Sequence, residues 1–267
     1  MSLILKVVIV YFFILALLLI NQNRLIFRPS RDFPINPSQF NLKPQNVFFT
    51  ASDGIKLHGW YFESSEDAPH LLFCHGNAGN ISDRLPNIEL LLKIPVNVFI
   101  FDYRGYGRSN GKPTEDGVYT DAEAAWDFLC KEKKVHPNRI HIFGRSLGGA
   151  IAIELATRRP VPCLILESTF YSMKDLVGKV FPYMLFYPFI PPRFDNGEKI
   201  RKIHVPVFII HGNADTTVPS QQGKKLFDAA NQPKKFWLVE GAHHTDAYEI
   251  NPEEYLKRLR DFILTMK

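Results

Sequence analysis

Apolar residues in this chain gather in short runs separated by polar, Gly- and Pro-bearing stretches. Gln45–Thr50 and Ile55–Phe62 flank Ser52-Asp53-Gly54, a hairpin signal. The runs that follow are His70–Cys74, Val96–Phe101, Arg139–Phe143, Cys163–Leu166, Pro206–Ile210 and Lys234–Val239. They are apolar without alternation, the pattern of strands buried on both faces. Helical patterns fall between them: one ending near Lys93, one from about Gly117 to Lys133, one over Ala150–Arg159 and one from about Pro219. A last helix opens at Asn251-Pro252-Glu253-Glu254, with a cap, a first-position proline and first-turn acids. Its apolar residues Tyr255, Leu259, Phe262, Ile263 and Met266 share one face. The alternation predicts an α/β fold: a mostly parallel eight-stranded sheet, helices on both faces, the first strands antiparallel at one edge.

The N-terminus differs. Leu3–Ile20 is nearly all apolar, interrupted only by Lys6, about the minimum length for a spanning helix, and Lys6 is near enough to the end to snorkel. No A-x-A-like site follows in Asn21-Gln22-Asn23-Arg24, which favours a retained anchor over a cleaved signal peptide. Residues 1–23 are therefore expected to be a transmembrane anchor, placing the protein in a membrane as a single-pass chain. The greater Lys/Arg number on the C-terminal flank favours a cytoplasmic domain, and Lys6 opposes it. Residues 24–44, with Pro29, Pro34, Pro37 and Pro44, read as an extended connector, and residues 45–267 as the folded domain.

Composition narrows the classes. The chain has 267 residues and 46% apolar residues, enough for one large α/β domain. Its formal charge of +5 is spread along the sequence, which argues against a nucleic-acid partner. Arg24, Arg28 and Arg31 follow the apolar N-terminus and suit anionic lipid. Three cysteines, Cys74, Cys130 and Cys163, include no C-x-x-C pair, and Cys74 and Cys163 lie in strand-like runs as buried hydrophobes. No Cys/His spacing suggests a metal, and no cofactor is expected.

Chemistry centres on Gly144-Arg145-Ser146-Leu147-Gly148, followed by Gly149. A G-x-S-x-G between a strand and a helix is the context of a nucleophile elbow, where small residues two before and two after the serine avoid collisions with neighbouring backbone. A serine hydroxyl needs a base and an acid to become a nucleophile at neutral pH. The chain order serine, acid, histidine leaves Glu167 and Asp215 as acids at strand ends, and His243 or His244 as the base. One donor to a developing oxyanion is expected from the amide of Leu147, directly after the serine.

Taken together, H-G-N-A-G-N at 75–80, D-Y-R-G-Y-G-R-S at 102–109, G-R-S-L-G-G at 144–149, H-G-N-A-D-x-x-V-P at 211–219 and G-A-H-H-T-D at 241–246 resemble the α/β-hydrolase superfamily. The nearest likeness is to its branch of small membrane-anchored α/β-hydrolase-domain proteins, and it extends from about Arg24 to the C-terminus. The resemblance implies that Asp215 is the acid and His244 the histidine, although His243 stands where the family often has Gly. It also implies that the amide of Asn77 is the second oxyanion donor. His75 and Asn80 are expected to hold that loop, Asp102 and Arg104 to fix their own turn, and Glu167 to tie the strand end to the turn.

The longest insertion between strands, about 168–205, is where the resemblance implies a short cap over the site. It carries Phe170, Tyr171, Phe181, Tyr183, Phe186, Tyr187, Phe189 and Phe194, which suit either an apolar acyl pocket or packing of the cap onto the core. The resulting expectation is a membrane-anchored serine hydrolase that cleaves esters or thioesters, on lipid-like substrates or acylated proteins. An aminopeptidase-like serine peptidase is the alternative among enzymes, and a non-catalytic tether of the same fold the alternative outside them.

Overall fold

The computed structural model describes residues 2–180 and 193–265. Helix α1 (Leu3–Ile26) comes first, followed by a two-residue strand β1 (Arg28–Pro29). The hairpin is β2 (Gln45–Thr50) and β3 (Lys56–Phe62), with Gly54 at φ 83° in the turn. After β4 (His70–Cys74) come a short β5 (Ala78–Gly79), a 3₁₀ turn Ile81–Arg84 and α2 (Leu85–Leu91). The chain continues through β6 (Asn97–Asp102), α3 (Glu115–Lys131), β7 (Ile140–Arg145), α4 (Leu147–Arg158) and β8 (Leu164–Glu167). It ends with α5 (Met173–Val180), α6 (Asn196–Ile200), β9 (Val207–Gly212), α7 (Ser220–Ala229), β10 (Lys234–Val239), α8 (Ala247–Ile250) and α9 (Pro252–Thr265).

The main sheet has eight strands in the order β10-β9-β8-β7-β4-β6-β3-β2. It is mixed: β10 through β6 run parallel, β3 is antiparallel to β6, and β2 is antiparallel to β3. This is the arrangement the apolar runs predict. Every residue of β4, β6, β7, β8 and β9 is buried, as two covered faces require. Two apolar clusters cover the faces. One joins Leu72, Phe99, Phe101 and Ile142 to α3 and α4. The other joins Phe73, Ile100, Phe143 and Ile165 to α2 and to Tyr255, Leu259, Phe262 and Ile263 of α9. Thr114 caps α3 by accepting from the Gly117 amide, with Glu115 and Asp116 in the first turn.

The N-terminal region departs from expectation in two ways. Among the described residues no helix is long and apolar enough to cross a membrane, so the spanning helix expected over residues 1–23 is not found. The apolar stretch of α1 is bounded by Lys6 near its start and by the polar Asn21-Gln22-Asn23-Arg24 at its end. That polar end belongs to the domain: Arg193 Nη1 donates to Asn23 Oδ1 at 2.9 Å, and Phe27 is buried against Phe194. The second departure is the Pro-rich stretch after α1, which lies on the domain. Arg28 and Pro29 pair with Ala78 and Gly79, and Phe33, Ile35, Phe40 and Leu42 pack against the core.

Candidate active site

The parallel strands deliver their polar carboxyl-end loops to one edge of the sheet, the usual place for chemistry in such folds. At the end of β7 the backbone turns directly into α4 through Ser146, whose φ is 54° and ψ −120°. A non-glycine residue there costs on the order of 1–3 kcal/mol and persists only where the surroundings hold it. They do so from three directions. The Ser146 amide donates to the Glu167 carbonyl at 2.8 Å, and the Ser146 carbonyl accepts from the Gly149 amide at 2.9 Å and from Thr169 Oγ1 at 2.8 Å. The flanking glycines are close-approach positions: a β-carbon at Gly148 would lie 2.0 Å from the Cys74 carbonyl oxygen, and one at Gly144 2.5 Å from the Gly148 carbonyl oxygen.

The structure brings three of the expected side chains into a hydrogen-bonded series. His244 Nε2 lies 2.9 Å from Ser146 Oγ, and His244 Nδ1 lies 2.8 Å from Asp215 Oδ2. An ionised carboxylate only accepts, so the ring proton belongs on Nδ1 and leaves the Nε2 lone pair for the serine hydroxyl. Burial opposes ionisation of Asp215, but hydrogen bonds from His211, His244 and the Val218 amide outweigh it and hold its carboxyl well below the usual range. The Thr217 and Val218 amides donate to Oδ1 at 2.9 and 2.8 Å. His243 points elsewhere, with Nδ1 3.1 Å from the Ala214 carbonyl oxygen. An imidazole so placed can take a proton from the serine and return it to a leaving group.

Gly76 places the β4 loop against the serine: a β-carbon there would lie 3.5 Å from Ser146 Cβ. Asn77 is the next residue, and Leu147 opens α4, where first-turn amides have no partner within the helix. Asp102 accepts from the Ile81 amide at 3.0 Å and sits 3.5 Å from His58 and 3.8 Å from His75. Arg104 is bound by Asp121 at 2.8 Å and Asp53 at 2.7 Å, on the turn below the loop. Glu167 does more than tie strand to turn. Its Oε1 is 2.7 Å from buried Arg145 Nε, and its Oε2 accepts from Tyr255 at 2.6 Å.

His211 had no assigned role in the sequence, although it opens the same motif as Asp215. Its Nε2 lies 2.8 Å from the Val218 carbonyl oxygen and 3.3 Å from Asp215 Oδ2, so its N–H braces the acid loop. Thr169, two residues beyond the end of β8, carried no signal beyond its position. In the insertion, Phe170 and Phe194 are buried against one another and the core, so these two pack. Phe181, Tyr183, Phe186, Tyr187 and Phe189 lie outside the described residues. Burial pushes the Cys74 and Cys163 thiols up, and neither is bonded to another cysteine. Among the described residues no group of His, Cys, Asp and Glu is arranged to hold a metal ion.

Comparison with known proteins agrees with this architecture. A sequence profile described as the alpha/beta hydrolase fold matches residues 69–188. The alpha/beta hydrolase domain-containing protein WAV2 of Arabidopsis thaliana is 33% identical, the match covering 93% of this chain and 89% of that protein. Protein bem46 of Schizosaccharomyces pombe is 35% identical over 88% of this chain and 81% of its own. Among solved structures, the Pyrococcus furiosus esterase Pf2001 superimposes with a TM-score of 0.75 at 24% identity, over 91% of this chain and 98% of that one, a likeness of fold. The chain belongs to the α/β-hydrolase family.

Proposed function

We propose that this α/β-hydrolase is a serine hydrolase cleaving acyl esters or thioesters through an acyl-enzyme. The observation that carries the reading is the unbroken series from Ser146 Oγ through His244 to Asp215, at 2.9 and 2.8 Å. Ser146 Oγ attacks the acyl carbonyl while His244 Nε2 accepts its proton. The ionised Asp215 fixes the ring and stabilises the imidazolium. The amides of Leu147 and Asn77 take the negative charge that develops on the carbonyl oxygen. Collapse expels the alcohol or thiol, protonated by His244. A water activated by the same imidazole then attacks the acyl-enzyme and frees the acid and the serine.

Turnover of p-nitrophenyl esters graded by acyl length tests this. Wild type should hydrolyse them, and Ser146→Ala should lose at least about 10³-fold in kcat. Equal rates in the two proteins would refute the assignment, and a maximum at long chains would point to lipid-like substrates. Location belongs to the same proposal. Leu3, Ile4, Val7, Phe13 and Ile20 of α1 are exposed, with Leu3 and Ile4 each 77% exposed. An apolar surface of this extent is normally covered. In this reading lipid covers it, which holds the domain beside acylated substrates. Co-flotation of the full chain with liposomes should depend on that surface, and Asp substitutions at Val7 and Phe13 should release the protein. Release of neither variant would count against lipid.

A further inference from the structure

The loop proposed to supply an oxyanion donor is not held by the sheet alone. Its backbone is paired with the segment that leaves α1. Arg28 and Pro29 run parallel to Ala78 and Gly79, and the Ser30 amide donates to the Gly79 carbonyl at 3.0 Å. The side chains of the loop reach back to the same segment. Asn77 Oδ1 accepts from the Arg28 amide at 3.0 Å. Asn80, fully buried, donates through Nδ2 to the Ser30 carbonyl at 3.3 Å and to the Asp32 carbonyl. From the other side the Tyr106 hydroxyl donates to the Asn77 carbonyl at 2.7 Å, and the Gly107 amide donates to the Ser30 carbonyl at 2.9 Å.

We propose that residues 28–32 are a strut of the active site, and that the side chains of Asn77, Asn80 and Tyr106 are positioning groups that aim the Asn77 amide at the reacting carbonyl. This rests on the hydrolytic reading above. The Asn77 carbonyl and side chain are both committed to fixed partners, and the Gly76 carbonyl, which shares a peptide unit with the Asn77 N–H, is engaged by His75 Nδ1 at 2.7 Å, so the N–H is held from both sides. An oxyanion donor acts only when it stands about 2.7–3.1 Å from the developing charge, and misplacement by about 1 Å costs up to about 10²-fold in rate. The strut has no slack toward α1. The helix ends at Ile26, Phe27 is buried, and β1 begins at Arg28. Asn23 in the last turn of α1 is bound in turn by Arg193, within the insertion between β8 and β9. The end of α1 is thereby joined to the oxyanion loop on one side and to the insertion on the other, so the N-terminal helix is tied mechanically to the catalytic geometry.

The test uses the full chain. Asn77→Ala keeps the backbone donor and removes the acceptor for Arg28. Asn80→Asp keeps the oxygen that caps the following turn, where the Ser82 amide donates at 2.9 Å, and turns a donor facing two carbonyls into an acceptor. Each should lower kcat for a p-nitrophenyl ester by about 10-fold, with KM within about twofold, and slow phosphonylation of the serine in parallel. Tyr106→Phe should act in the same direction. A role confined to stability would lower Tm and leave kcat of the folded enzyme at 25 °C unchanged. Unchanged kcat in both asparagine variants of an active wild type would overturn the strut and leave the hydrolytic reading standing. A wild type that neither turns over esters nor reacts with phosphonates would overturn both.

Discussion

Replacing Arg145 by Met should destabilise the fold by about 3–5 kcal/mol, because it strands a buried charge. Its side chain is 3% exposed and that of Glu167 is not exposed at all. Their 2.7 Å ion pair lies beneath the strained serine. Burial disfavours the Arg145 charge, but the Glu167 carboxylate outweighs it and raises the pKa of the guanidinium. Arg145 also donates to Asn87 Oδ1 at 3.0 Å and lies over the rings of Phe73, Phe143 and Tyr248. Met keeps most of the volume and removes the charge, so the cost is that of a buried carboxylate without its partner. Adding Glu167→Gln removes that carboxylate and keeps an acceptor for the Tyr255 hydroxyl. The double variant should therefore be more stable than Arg145→Met by at least about 1 kcal/mol. Urea unfolding followed by tryptophan fluorescence measures the wild type and both variants. A loss below about 1 kcal/mol for Arg145→Met, or a double variant weaker than the single, would refute the reasoning.

Acid should unfold the protein earlier than its carboxylates alone require. Burial lowers His70 and His141 from 6.5 to about 4 and His75 to about 3. A folded value below the unfolded one means stability that is complete above pH 6.5 and lost as pH falls toward 4, by about 3 kcal/mol for each histidine; a flat stability between pH 7 and 4.5 in denaturant titrations would contradict this. Asp215→Asn should reduce kcat by about 10⁴-fold with little change in KM, because an amide no longer holds the ring proton on Nδ1; initial rates with a soluble ester decide it. His243→Ala should leave kcat within about twofold, whereas His244→Ala should lose at least about 10³-fold, and the reverse pattern would assign the base to the wrong histidine. Gly148→Ala should destabilise by at least about 1–3 kcal/mol in a thermal melt, since its β-carbon meets the Cys74 carbonyl.

The sheet was legible because buried parallel strands need continuous apolar runs, as in His70–Cys74, delimited to the residue; the part-buried edge strand Lys234–Val239 was also delimited to the residue. Helix starts were less so. The sequence pattern starts α3 only at about Gly117, whereas Thr114 caps it and Glu115 begins it, a choice made by one side-chain oxygen. Ser146, Asp215 and His244 could be picked out by chain order and motif, but order alone left His243 and Glu167 as rivals. Distance separates them: His243 turns to Ala214, and Glu167 spends its oxygens on Arg145 and Tyr255. The strut over residues 28–32 was not legible. Its prolines suggest an extended linker, and pairing with Ala78 and Gly79 spans a sequence separation that no local pattern encodes. The N-terminal apolar run was legible as a helix, and the docking of its polar end on Arg193 was not.

The most direct test of the account is to treat the full chain with a fluorophosphonate probe and map the adduct by peptide mass spectrometry. One phosphonylated residue, Ser146, with labelling lost in Ser146→Ala and strongly slowed in His244→Ala, is the predicted result. Labelling at another serine, or undiminished labelling of Ser146→Ala, would contradict the claim that Ser146, His244 and Asp215 form the hydrolytic centre.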